Sequence, residues 1–101
     1  MTEYVVDGTK VRSKRAMYTA LAAALSFPRW FGHNLDGLYD CLVDLSWLPA
    51  GEVVVIWTHP EVLAHADPAG YRAIREVFDD AVEGFADPDR SLTVVLAEGK
   101  P

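Results

Sequence analysis

The chain has 101 residues, half of them hydrophobic and 24% charged, which fits one globular domain with its own core and excludes a disordered chain. The lone cysteine, Cys41, excludes an internal disulfide framework, and no apolar run approaches the roughly 20 residues that span a bilayer. A formal charge of −6 argues against nucleic acid as a direct partner, because binding a polyanion takes a basic footprint.

In chain order, Glu3–Val6 (EYVV) predicts a short strand closed by the turn pair Asp7-Gly8. Ser13 is an N-cap for a helix over Lys14–Leu25, with Tyr18, Leu21 and Leu25 as its apolar stripe. The basic cluster Lys10, Arg12, Lys14 and Arg15 sits at the start of that helix, where the dipole disfavours it. Phe27-Pro28 ends the helix, and Arg29–His33 forms a loop in which Gly32 is expected to hold a special backbone position. Asn34 caps a second helix, Leu35–Leu45, whose seam is Leu35, Leu38, Leu42 and Leu45 with Cys41 beside them. Pro49 and Gly51 mark its exit.

Glu52–Trp57 (EVVVIW) is nearly continuous in β-branched residues, so a strand buried on both faces is expected. Pro60 opens a short helix to His65, and Asp67-Pro68 opens a longer one ending near Gly84, with Tyr71, Ile74, Phe78 and Val82 facing the core. A turn at Asp87–Asp89 leads to a third strand, Ser91–Ala97, expected to be buried like the second; Glu98–Pro101 is a tail. The order β-α-α-β-α-α-β predicts an α/β fold in a single domain, residues 1–101: a three-stranded parallel sheet, about four helices and right-handed crossovers. Whether helices cover one face or both stays open at this level.

The charge is unevenly placed. From Trp30 to Tyr71 there is no Lys or Arg, while Asp36, Asp40, Asp44, Glu52, Glu61 and Asp67 all fall there; elsewhere nine acids balance nine bases. A concentrated acidic field steers a basic partner. The opening MTEYVVDGTK lacks the basic and apolar regions of a secretory signal, and with no disulfide the expectation is a soluble cytoplasmic protein.

Catalytic constellations are weak. His33, His59 and His65 include no pair at the spacing that puts two metal ligands on one helix face, so no metal or other cofactor is expected. Asp40 and Asp44 flank Cys41 and raise its thiol pKa, the wrong direction for a nucleophile. Gly8 stands alone, without the glycine-rich loop that cradles phosphate. The informative feature is the second helix. Asp36, Asp40 and Asp44 recur at i, i+4 and i+8, an arrangement that costs a few tenths of a kcal/mol per like-charged pair. No Lys or Arg in the segment relieves them, and Trp30, Phe31, Tyr39 and Trp47 lie around them. A solvated face is one reading; acids beside large aromatics also suit a face for a basic partner.

The stretch Trp30–Leu42, WFGHNLDGLYDCL, strongly resembles the barstar family of intracellular ribonuclease inhibitors. VDGTKVRS, the break at Leu25–Pro28, EVVVIW, VFDDA and TVVL follow in the family's order, so the resemblance covers nearly the whole chain. It implies that the second helix and the loop before it plug the active site of a small, extracellular, guanyl-specific ribonuclease in a 1:1 complex. By position, Asp40 is then the central carboxylate in the enzyme's phosphate site and Asp36 its partner one turn earlier. Tyr39 packs beside them, Trp30 and Asn34 take the places of the family's loop aromatic and asparagine, and Asp80 that of an acidic contact that is a glutamate in the family. Three positions depart from the pattern: Leu45 stands where the family has tryptophan, with Trp47 two residues on as a candidate replacement, and His33 and Asp44 replace an acid and a small residue. Asp44 extends the acidic row and is counted with the partner-binding residues.

The function implied is a protein inhibitor of a ribonuclease that protects the cell producing it. The alternative is an immunity or regulatory protein of the same fold directed at a different toxin. A small acidic enzyme is the weakest alternative, since no residue set fills the roles of nucleophile, base and charge stabiliser.

Overall fold

The computed structural model describes residues 1–98 and runs β1 (Thr2–Asp7), α1 (Lys14–Leu25), α2 (Leu35–Asp44), β2 (Gly51–Thr58), α3 (Pro60–Ala66), α4 (Pro68–Gly84) and β3 (Arg90–Ala97). The expected tail lies outside the described residues beyond Glu98. All three strands are parallel, in the order β1-β2-β3. The helix starts follow the caps legible in the sequence. Ser13 Oγ accepts from the Ala16 amide at 3.1 Å, Asn34 Oδ1 from the Gly37 amide at 2.7 Å, and Asp67 Oδ1 from the Gly70 amide at 3.0 Å ahead of Pro68.

The sheet is covered on one face only. Both crossovers step the same way across the sheet, and right-handed connections stepping in one direction lie on one side. Residues from α1, α2, α3 and α4 accordingly share a single core with Val6, Val53, Val55, Trp57 and Leu92. The expectation of burial on both faces holds for the centre of β2, where Val53, Val54 and Val55 are all buried, and is corrected for β3. β3 alternates between sheltered and exposed positions, and the row Val5–Ile56–Val95 on the open face leaves Val5 57% and Val95 42% exposed. Val54 is buried but stands outside the core cluster.

Two further expectations shift. On α4 the core positions are Ile74, Phe78 and Ala81, at i, i+4 and i+7; Val82 lies one residue past that stripe and is 42% exposed. In the loop before α2 it is His33, with φ 50°, that takes the left-handed backbone, and Gly32 does not. A Cβ at Gly32 would lie 2.9 Å from Asn34 Nδ2 and would press on the capping amide. α2 stops at Asp44, where Leu45 turns left-handed (φ 48°) and its amide closes onto the Cys41 carbonyl.

The α2–β2 connection is tied down at both sides. Trp47 Nε1 donates to the Leu25 carbonyl at 2.9 Å, which fixes it to the end of α1. Arg90, at the start of β3, donates to the Leu48 carbonyl at 2.7 Å and the Ser46 carbonyl at 3.3 Å, while its other nitrogen pairs with Asp87 at 3.0 Å. The carboxyl end of α2 is thus held between two other elements.

Candidate functional site

α2 is a helix with two unlike faces. Leu38, Cys41 and Leu42 are fully buried, and Leu45 follows them into the core. Each leucine removed from water contributes about 2 kcal/mol, which fixes the rotation of the helix. That rotation leaves Asp36, Asp40 and Asp44 exposed in one row. Among the described residues, none of these three carboxylates, nor that of Asp80, makes a hydrogen bond or an ion pair. They are spread along the outer face without an ion-pair partner among the described residues.

Tyr39 sits between this row and α4. It is half-buried against the core, and a Cβ built on Gly84 would lie 2.6 Å from its hydroxyl, so the ring leans onto the last turn of α4. Asp80 is exposed one turn before Gly84, on the flank of α4 nearest Tyr39. The contact of α2 with α4 thus brings the α4 carboxylate to the side of the molecule that carries the α2 row.

The loop before α2 divides its two aromatics. Phe31 is buried, edge-on to Phe27 at 5.0 Å and to Tyr18 at 6.0 Å, with the His33 ring stacked on it at 4.8 Å. Trp30 is left 60% exposed beside it, the largest aromatic on the surface. Asn34 spends both ends of its amide within the chain: Oδ1 caps the helix and Nδ2 donates to the Gly32 carbonyl at 3.2 Å. It shapes the loop that presents Trp30. Leu45 is fully buried, and Trp47 is partly buried, held edge-on to Phe27 at 6.2 Å and donating to the Leu25 carbonyl at the end of α1. Sequence reasoning missed Arg90 as a support for this face; its signal was a lone arginine between the DPD turn and a strand.

Burial, with Asp40 and Asp44 adding to it, pushes the Cys41 thiol up to about 11, which makes it a core residue. Among the described residues no group of three His, Cys, Asp or Glu side chains converges to hold a metal ion, and no helix is long and apolar enough to cross a membrane.

A family model described as Barstar (barnase inhibitor) matches residues 1–97. The chain belongs to the barstar family. Barstar proteins are inhibitors, not enzymes. A curated relative in Bacillus subtilis (strain 168), named "Putative ribonuclease inhibitor YrdF", is 35% identical over 49 residues, which is 48% of this chain and 54% of the relative. The chain thus matches about half the length of that relative. The three-stranded parallel sheet with four helices is the arrangement that the barstar resemblance implied.

Proposed function

We propose that this chain inhibits a small, extracellular, guanyl-specific ribonuclease by blocking its active site in a 1:1 complex, and so protects the cytoplasm of the cell that makes it. The observation that carries this reading is the row of unpaired, exposed carboxylates on α2, Asp36, Asp40 and Asp44, flanked by Asp80. A carboxylate accepts two parallel bonds from an arginine and reproduces much of the charge and oxygen geometry of a phosphate. Asp40, at the middle of the row, occupies the enzyme's phosphate site, with Asp36 one turn earlier. Tyr39 and Trp30 supply apolar area around them, Asn34 holds the loop in shape, and Asp44 and Asp80 meet cations at the margin. Once such a pair is desolvated, removing one partner strands the other and costs about 3–5 kcal/mol.

The family match and the ribonuclease inhibitor name of the Bacillus relative support this reading. Titration of purified protein against small guanyl-specific ribonucleases tests it: RNA cleavage should vanish at one equivalent. Leu45 and Asp44, where the family has tryptophan and a small residue, favour a second reading, an immunity protein for a different toxin. Failure to inhibit any such ribonuclease, together with capture of a toxin domain of another class, would select it.

A further inference from the structure

Beside the acidic row lies a groove of about 570 Å³ between α1 and the loop before α2, lined by Lys14, Arg15, His33, Asn34 and Asp36 among others. Arg15 and His33 also border an adjoining hollow with Thr19. Among the described residues, neither the Lys14 nor the Arg15 side chain makes a hydrogen bond or an ion pair. Both occupy the first turn of α1, where the helix dipole opposes a cation and where no acid accompanies them. His33 stands across the groove with the left-handed backbone that a non-glycine residue adopts only at a cost. The two α1 cations thus stand next to the carboxylates where the helix dipole opposes them and, among the described residues, no ion pair compensates.

Resting on the ribonuclease-inhibitor reading and deepening it, we propose that this groove receives acidic side chains from the rim of the target's active site, so that the interface is bipolar. Carboxylates reach out from α2 toward the basic centre of the target, and cations reach out from α1 toward an acidic margin. A target that was basic throughout would be repelled by Lys14 and Arg15 immediately beside Asp36. The arrangement also sets specificity, since only a surface carrying both signs in the right order meets both halves.

The double variant Lys14→Glu/Arg15→Glu tests this against a ribonuclease that the wild-type protein inhibits, with Asp40→Ala run alongside. Acids in the first turn suit the helix dipole, so the melting temperature should hold or rise and weakened binding cannot be blamed on unfolding. Dissociation is followed at about 0.5 M salt, where the screening length is about 4 Å and only close contacts count. The expected result is dissociation at least tenfold faster than wild type. Dissociation at the wild-type rate or slower, while Asp40→Ala still weakens the complex, overturns the bipolar interface and leaves the inhibitor reading standing. If the wild-type protein binds none of the ribonucleases, both fall together.

Discussion

Tyr39 of α2 closes onto Gly84 of α4, with its hydroxyl 2.6 Å from where a Gly84 side chain would begin. The contact joins the helix that carries the acidic row to the helix that carries Asp80. It also sets the angle of an aromatic ring at the centre of the proposed docking face. Gly84→Ala should displace the ring without unfolding the protein, because the hydroxyl is the outer end of a side chain that can swing toward solvent. Stability should change by less than about 1 kcal/mol, since alanine's gain in helix propensity offsets part of the crowding. Affinity for the partner should fall severalfold. Thermal melts and calorimetric titration of the same sample separate the two effects.

Asp67 lies in the same lysine- and arginine-free segment as the α2 row, yet its carboxylate caps α4 at Gly70. Asp67→Ala should cost about 1 kcal/mol of stability and leave partner binding unchanged. The α2 acids should behave in the opposite way: loss of Asp40 relieves like-charge repulsion and slightly stabilises the free protein. Urea denaturation of both variants gives the comparison directly.

Asp87 accepts from the Asp89 amide at 2.8 Å and pairs with Arg90. The Asp89 amide first, then Arg90, holds its carboxyl below the usual range. Asp7 is lowered in the same direction by the Thr9 amide and hydroxyl. A carboxyl whose pKa is depressed on folding contributes stability that is present above its unfolded value and is lost as pH falls through the folded value. Stability should therefore decline from about pH 4 downward. The urea midpoint of Asp87→Asn should fall less steeply than wild type over that window, and parallel curves would remove Asp87 from the account of acid sensitivity.

Cys41 is fully buried and its thiol stands at about 11, so it should resist labelling in the folded protein at pH 8. Reaction with a thiol reagent should proceed only at the rate of unfolding, and should not alter partner binding before the protein unfolds.

Much of this fold is legible residue by residue. Ser13, Asn34 and Asp67 announce helix starts because a short polar oxygen before an apolar stripe has one strong use, and each makes the bond expected of it. The apolar run EVVVIW marks the central strand and is buried as expected, whereas TVVL misleads because β-branched residues also suit an edge strand with one open face. The side on which helices lie depends on strand order, here β1-β2-β3, which no local pattern states. Val82 misleads for a related reason: Ala81 is small enough to let α4 approach its neighbours, and an apolar count ranks the larger residue first. The acidic row, Trp30 and Tyr39 stand out from composition and spacing. The clamps at Trp47 and Arg90 are harder to read: a lone arginine before a strand marks one of them, but the partners, 22 and 42 positions away, are backbone carbonyls that any residue supplies.

The central claim is that the exposed carboxylates of α2 occupy the active site of a ribonuclease, with Asp40 at the phosphate position. The most direct measurement is an inhibition titration of a small guanyl-specific ribonuclease with wild-type protein, Asp40→Ala and Asp67→Ala in parallel. Stoichiometric inhibition by wild type and Asp67→Ala, with Asp40→Ala weaker by about 3–5 kcal/mol, is the expected result. Equal inhibition by all three would contradict the claim and place the docking face elsewhere on the molecule.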